Sequence, residues 1–188
     1  MSECDRALLY RARALMEDVY VHARELLAEL PEGEVAVREV AEGVVRLLED
    51  PRDVYLSYYP ATPVHVVVVV AAQVVVYGPR ELRVPRAPRV TFIVLYEVTR
   101  RLSDAELRYV LAHEAAHAAS EGDEVSAELL ASVLAARFPE LFEMPLALGG
   151  AGLRAVDAVE LEAYSREHPR EFMRRLLRCS LRLRPVRL

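Results

Sequence analysis

The strongest constraint on the fold is an apolar run of 14 residues, Val64 to Tyr77, which is interrupted only by His65 and Gln73. A helix that crosses a membrane needs about 20 predominantly apolar residues, so we expect no membrane span here. The many valines favour β-structure, because β-branched side chains pack well on a pleated sheet. Since the run is apolar on both faces, it predicts one long or two short strands in the middle of a sheet.

The composition excludes several classes of protein. Of the 188 residues, 53% are hydrophobic, which is enough for one buried core. A net charge of -5 gives no basic footprint, so we expect no nucleic acid as a partner. Cys4 and Cys179 form no C-x-x-C pair, which argues against a disulfide scaffold and predicts reduced thiols. The N-terminal segment lacks the apolar h-region of a secretory signal, so we expect a cytoplasmic protein.

Apolar periodicity divides the chain into helical and β-rich segments. Helices are predicted over Asp5 to Leu30 and Glu34 to Leu48, and three or four strands over 54–96, the last from Arg89 to Tyr96. The order predicts a single α+β domain. Its four parts are an N-terminal helical pair (1–50), a small mixed sheet (54–96), a second pair of helices (103–138) and C-terminal helices (152–181).

The start of the third helix carries a capping box. Ser103 and Glu106 have the S-x-x-E spacing in which each side chain bonds the backbone amide of the other residue, so a helix is predicted from 103 or 104. Gly122 is the expected stop of this helix, and Asp123 is the expected cap of a helix to about Phe138. Two further helices are predicted, over 153–166 and 169–181, with Pro169 at a favoured first position.

The third helix contains the pattern H-E-x-x-H. His113 and His117 lie four residues apart, so their imidazoles share one helix face and can converge on one metal ion. Glu114 is rotated by about 100 degrees and can serve as a general base without being a ligand. This pattern is the signature of zinc metallopeptidases, so we expect Zn²⁺ as the cofactor.

A catalytic zinc site needs a third protein ligand. The carboxylates just downstream are Glu121, Asp123, Glu124 and Glu128. Glu121 is the weakest choice, because it lies one turn beyond His117 on the same helix. If the two helices form a hairpin around the glycine, counting from the turn puts Glu128 opposite His117 and slightly favours Glu128 over Glu124.

Several stretches resemble a known family. The stretch from Thr91 to His117 is similar to an edge strand followed by a helix of pattern L-S-x-x-E-L-x-x-V-L-A-H-E-x-x-H, and Glu124 to Ala131 is similar to E-x-x-A-D-x-x-A. These are motifs of the HtpX-like and CAAX-prenyl-protease-like zinc metallopeptidases of the gluzincin group. The resemblance implies a zincin-like fold, with Glu124 as the third zinc ligand and Glu128 as its supporting carboxylate. On this basis we expect Glu124 to be the third zinc ligand.

A late segment extends the resemblance, which covers about residues 89 to 176. Ser165 to Pro169, with Arg174 five residues after the proline, is similar to the family motif S-T-H-P-x-x-x-x-R. It implies that His168 or Arg174 stabilises the oxyanion, and we include His168 among the catalytic residues. A helix N-cap is an equally weighted role for His168.

The remaining polar positions have structural interpretations. His22 lies on an amphipathic helix and His65 at a strand start, and both are expected to be structural. The arginines of 170–187 are expected to form a solvated helix face.

Together these features predict a zinc-dependent peptidase. The metal ligands would be His113, His117 and Glu124, and Glu114 would be the general base. The substrate would be a peptide or protein that pairs with an edge strand at 89–96. The alternative is a non-catalytic zincin-like scaffold that binds a peptide or protein partner without cutting it.

Overall fold

The structure, a computed structural model, describes residues 4–51, 53–59, 67–72, 89–120, 124–145 and 167–187. Its elements follow one another along the chain as α1 (Arg6–Glu29), α2 (Val35–Glu49), β1 (Val54–Tyr59), β2 (Val67–Ala72), β3 (Arg89–Tyr96), a 3-10 helix (Glu97–Arg101), α3 (Asp104–Ser120), α4 (Glu124–Arg137), α5 (Pro169–Arg178) and β4 (Ser180–Arg182). The predicted α+β class is confirmed. Both N-terminal helices are confirmed to within one residue at each end. The helix predicted over 153–166 lies outside the described residues, as do Gly122 and Asp123.

The chain divides into two compact units, and each unit draws on three separate segments. The first unit comprises Met1–Leu9, Asp53–Arg101 and Leu146–Arg182, and the second comprises Tyr10–Arg52, Leu102–Pro145 and Leu183–Leu188. The sheet and α5 therefore belong to the first unit. Helices α2, α3 and α4 belong to the second, together with most of α1.

The sheet of the first unit is mixed, as predicted, and has the strand order β2-β3-β1-β4. Strand β3 pairs in parallel with β1, from Val54↔Thr91 to Tyr59↔Tyr96, and antiparallel with β2. The prediction of an edge strand at 89–96 is therefore wrong. Phe92 to Leu95 are completely buried, which is typical of a strand covered on both faces. Among the described strands, β2 from the valine run lies at one end of this order, although the run was predicted for the middle of a sheet.

A disulfide joins Cys4 to Cys179, with Cα atoms 5.3 Å apart, so the prediction of reduced thiols is wrong. Helix α5 ends at Arg178, three residues earlier than predicted, and the chain continues into β4, which pairs with β1. The backbone oxygen of Cys179 accepts a hydrogen bond of 2.9 Å from the Tyr58 amide of β1. This pairing fixes the position of Cys179, so that the bond forms across a sequence separation of 175 residues.

The disulfide leads to a prediction about stability. Replacing Cys4 and Cys179 together by serine is expected to lower the free energy of unfolding by about 2–4 kcal/mol, because the cross-link restricts the unfolded chain. Denaturant unfolding of the double variant and of the oxidised wild type measures this difference. A thiol titration of the denatured, unreduced wild type should find no free thiol. Two free thiols, or equal unfolding midpoints, would contradict the prediction.

Two sequence predictions concern the absence of a membrane span and the cytoplasmic location. No helix within the described ranges is both long and apolar enough to cross a membrane. Because disulfides are rare in a reducing cytosol, the cysteines do not support the predicted cytoplasmic location. The cytoplasmic location stays a prediction.

Helix α3 is the central element of the second unit. Both α2 and α4 pack against it, and its buried side chains lie on nearly every face of the helix, as expected of a helix in a core. These buried residues are Leu107, Tyr109, Val110, Leu111, Ala112, Glu114, Ala115 and Ala116. Gly43 lets α2 come close, because a Cβ at that position would lie 3.3 Å from the Cβ of Ala119. A helix packed in this way holds its side chains in fixed positions.

The predicted capping box is confirmed at the start of α3. The Ser103 amide donates a hydrogen bond of 2.7 Å to Glu106 Oε2, and the Glu106 amide donates one of 3.1 Å to Ser103 Oγ. Two amides that the helix leaves unpaired are thereby satisfied. The helix begins at Asp104, so the register of the H-E-x-x-H pattern is set from this end.

Candidate metal centre

The two histidines of the H-E-x-x-H pattern converge on α3. His113 and His117 lie one helical turn apart, and their Nε2 atoms are 3.0 Å from each other. Their side chains are largely buried, with 16% and 12% exposed. Because both rings are held in place, their Nε2 atoms are directed at the same location.

A carboxylate from α4 completes the group. Glu124 Oε2 lies 2.8 Å from His117 Nε2, and Glu124 Oε1 lies 3.3 Å from His113 Nε2. The three residues each offer one ligand atom, and these atoms lie within 4.8 Å of one another, so the group could hold a metal ion. The Glu124 side chain is 74% exposed, so solvent reaches the group from this side.

Glu128 takes a different position from the one that hairpin counting favoured. Its Oε2 lies 3.1 Å from His113 Nδ1, on the side of the imidazole away from Glu124. Helix α3 ends at Ser120 and α4 begins at Glu124. The first residue of α4 therefore faces His117, and Glu128 faces the preceding turn. Glu121 and Asp123 lie outside the described residues.

Two side chains that were not predicted from the sequence extend this group. The Tyr109 hydroxyl donates a hydrogen bond of 2.5 Å to Glu128 Oε1, and Ser132 Oγ lies 3.4 Å from the same oxygen. A signal for both was present in the spacing. Tyr109 precedes His113 by four residues and Ser132 follows Glu128 by four, so each continues the facing stripe of its own helix.

The environment of His113 favours the neutral imidazole. Burial lowers its pKa, and the neighbouring His117 lowers it further. Because the Glu128 carboxylate can only accept, the hydrogen bond to it places the single ring proton on Nδ1. The Nε2 lone pair then faces His117 and Glu124, which is the protonation state that metal binding requires.

Glu114 is the unusual carboxyl of the site. It is only 4% exposed, and its Oε2 has no hydrogen-bond partner among the residues that the structure describes. Burial raises its pKa well above the usual range, and the charge of Glu124 raises it further. A buried polar atom without a partner costs about 1–3 kcal/mol, so it calls for an explanation.

The residues of the late motif lie in the first unit, whereas the histidine pair lies in the second. His168 occupies the N-cap position of α5, but its side chain makes no capping hydrogen bond. Pro169 begins the helix as predicted, and Arg174 is exposed. The catalytic roles of His168 and Arg174 stay predictions.

Some of the other residues that were predicted to be structural lie within the described part of the chain. His22 Nδ1 lies 2.7 Å from the Asp18 carbonyl oxygen, and the ring packs edge-on against Phe138, which confirms its structural role. His65 lies outside the described residues. The arginines of α5 whose side chains are described are exposed, as expected of a solvated helix face: Arg170, Arg174, Arg175 and Arg178.

Comparison with known proteins yields no match to a protein-family model, a curated protein or a solved structure. The resemblance to gluzincin metallopeptidases therefore depends on the motifs themselves. Function must be argued from the geometry and chemistry of the site.

Proposed function

We propose that this protein is a zinc-dependent peptidase with a zincin-like site of the gluzincin type. The observation that carries the proposal is the convergence of His113, His117 and Glu124 beside a buried Glu114 whose Oε2 has no partner among the described residues. The unpaired oxygen supports the proposal independently of the sequence motif, because burying a carboxyl without a hydrogen-bond partner is costly in a helix whose role is only structural.

The donor set fits zinc. Two imidazole nitrogens and one carboxylate oxygen are a common ligand set of catalytic zinc, and a fourth position is then left for water or substrate. When bound, zinc would lower the pKa of water at the site and polarise the scissile carbonyl. His113, His117 and Glu124 would hold the ion, and Glu128 would orient the first of these imidazoles.

The chemical step would depend on Glu114. Its carboxylate would accept a proton from the attacking water as the water oxygen bonds to the carbonyl carbon. It would then pass the proton to the amine as the carbon–nitrogen bond breaks. Burial raises the pKa of Glu114, and a raised pKa makes this carboxylate a stronger proton acceptor.

The reaction itself defines the substrate class as a peptide or protein. Strand β3 is paired on both sides, so we do not propose it as the strand that receives the substrate. The exposed side of Glu124 is instead the approach to the metal group that the described residues leave open.

Metal removal tests the proposal. Zinc-loaded protein incubated with unfolded casein is expected to cleave it, because an unfolded chain offers extended peptide bonds. Chelation by 1,10-phenanthroline should abolish cleavage, and one equivalent of zinc should restore it. Fragments are followed by mass spectrometry. Inhibitors of serine and cysteine proteases are the control and should have no effect.

Two outcomes would count against the enzyme. Cleavage that persists in the metal-free protein would come from another activity. A chain that holds one zinc ion but leaves a broad set of peptides intact would favour the non-catalytic scaffold.

A further inference from the structure

A buried tyrosine lies behind the metal group. Tyr109 is only 5% exposed, and its hydroxyl donates a hydrogen bond of 2.5 Å to Glu128 Oε1. The second oxygen of the same carboxylate lies 3.1 Å from His113 Nδ1. We propose that Tyr109 is a positioning residue, which acts through Glu128 to fix the His113 imidazole for metal binding. The inference rests on the proposed function.

Glu128 needs such an anchor. Its side chain is 47% exposed, so without a second contact it could adopt other rotamers in solvent. Holding a glutamate side chain in one rotamer costs conformational entropy, which a second contact must offset. The short hydrogen bond from Tyr109 is charge-assisted, and it binds one oxygen so that the other stays directed at His113. Ser132 Oγ, at 3.4 Å, adds only a weak contact.

The consequence for His113 is a single tautomer. With the proton on Nδ1, the Nε2 lone pair faces Glu124 Oε1 at 3.3 Å and His117 Nε2 at 3.0 Å. Burial and the hydrogen bond to Glu128 raise the pKa of Tyr109 to about 12. The phenol therefore stays a donor over the whole physiological pH range.

The chain offers a matched control in the first unit. Tyr58 is 2% exposed and donates a short hydrogen bond to Glu97, and its pKa is also raised to about 12. Each of the variants Tyr58→Phe and Tyr109→Phe removes a hydroxyl that donates a hydrogen bond to one glutamate, and each keeps the aromatic ring. Only Tyr109 is linked to a histidine of the metal group.

Two readouts test the proposal. In metal-free protein labelled with ¹⁵N-histidine at about pH 8, where His113 is neutral, ring nitrogen shifts report the tautomer. We expect the Nδ1-protonated form in the wild type and in Tyr58→Phe, and a mixture in Tyr109→Phe. By chelator competition, Tyr109→Phe is expected to weaken zinc binding about tenfold, the lower end for an outer-shell partner. Tyr58→Phe should bind zinc like the wild type.

A double variant tests whether Tyr109 acts through Glu128. In a Glu128→Ala background, Tyr109→Phe should cause no further loss of zinc affinity. An equal loss in that background, an unchanged tautomer in Tyr109→Phe, or an equal effect of Tyr58→Phe would overturn the proposal. If the tautomer shifts as expected but the wild type binds no zinc, the positioning role stands and the proposed function fails.

Discussion

Replacing His117 by alanine is expected to leave the protein without bound zinc, under conditions in which the wild type binds about one zinc ion per chain. His117 Nε2 lies 2.8 Å from Glu124 Oε2 and 3.0 Å from His113 Nε2, so its loss removes one of three ligands. The loss of affinity should exceed the 10–100-fold that is typical of an outer-shell partner. Elemental analysis after gel filtration measures the zinc content, and chelator competition gives the affinity.

His22→Ala is the matched control for this variant. His22 is also a partly buried histidine on a helix of the second unit, but it contacts the Asp18 carbonyl and Phe138 instead of the metal group. It is expected to keep about one zinc ion per chain. Full zinc content in His117→Ala would eliminate the proposed site. Loss of zinc from both variants would mean that removing a histidine ring disturbs the unit as a whole.

The same measurement separates the two carboxylates of α4. Glu124→Ala is expected to lose zinc as completely as His117→Ala, because Glu124 faces both Nε2 atoms. Glu128→Ala should keep the site and bind zinc about 10–100-fold more weakly, because it contacts only His113 Nδ1. The reverse order would make Glu128 the ligand.

The sequence predicted the parts of the site that depend on local chemistry. Ser103 and Glu106 form their capping box within one turn, so the start of α3 needs no information from the rest of the chain. The spacing of His113 and His117 then places both rings on one face by helix geometry alone. Both inferences use contacts between residues at most four positions apart.

It was harder to predict which residues of α3 and α4 lie opposite each other. A shift of one turn in an antiparallel helix pair exchanges Glu124 for Glu128 opposite His117. Counting depends on where each helix ends, which sequence patterns give only to within a few residues. Tyr109 was missed for the same reason, since its role appears only when Glu128 is placed beside it.

Long-range pairing was the main source of error. Strand β3 joins β1 and β2 on its two sides, and no local pattern specifies both neighbours. Cys4 and Cys179 are 175 residues apart, and they meet because β4 pairs with β1 directly after α5. The uninterrupted apolar run from Phe92 to Leu95 was available as a signal in the sequence, because such runs are typical of central strands.

Glu114→Gln is expected to keep the fold and the zinc while lowering the rate of peptide cleavage about 10²–10⁴-fold. The amide has nearly the same shape as the carboxyl but cannot accept the proton of the attacking water. Glu114 lies outside the group of His113, His117 and Glu124, so the metal ligands are unchanged. Initial rates on a fluorogenic peptide, together with zinc content, measure both effects.

Stability provides an internal check on this variant. Burial, followed by Glu124, raises the pKa of Glu114 in the folded protein, so the folded state holds this proton more tightly than the unfolded state. Glu114 therefore stabilises the folded state at low pH, and this stabilisation is lost as the pH rises towards the raised pKa. Because glutamine carries no charge to bury, metal-free Glu114→Gln should be at least as stable as the metal-free wild type at neutral pH.

Glu106→Gln is the matched control, since it makes the same change on the same helix. Glutamine serves at this capping-box position as glutamate does, so cleavage by Glu106→Gln should match the wild type. Zinc-loaded Glu114→Gln that cleaves peptides at the wild-type rate would show that another group accepts the proton. Loss of zinc from Glu114→Gln would instead make Glu114 part of the metal-binding group. Loss of cleavage with full zinc content, confined to Glu114→Gln, is the one result that assigns the proton transfer to this buried carboxyl.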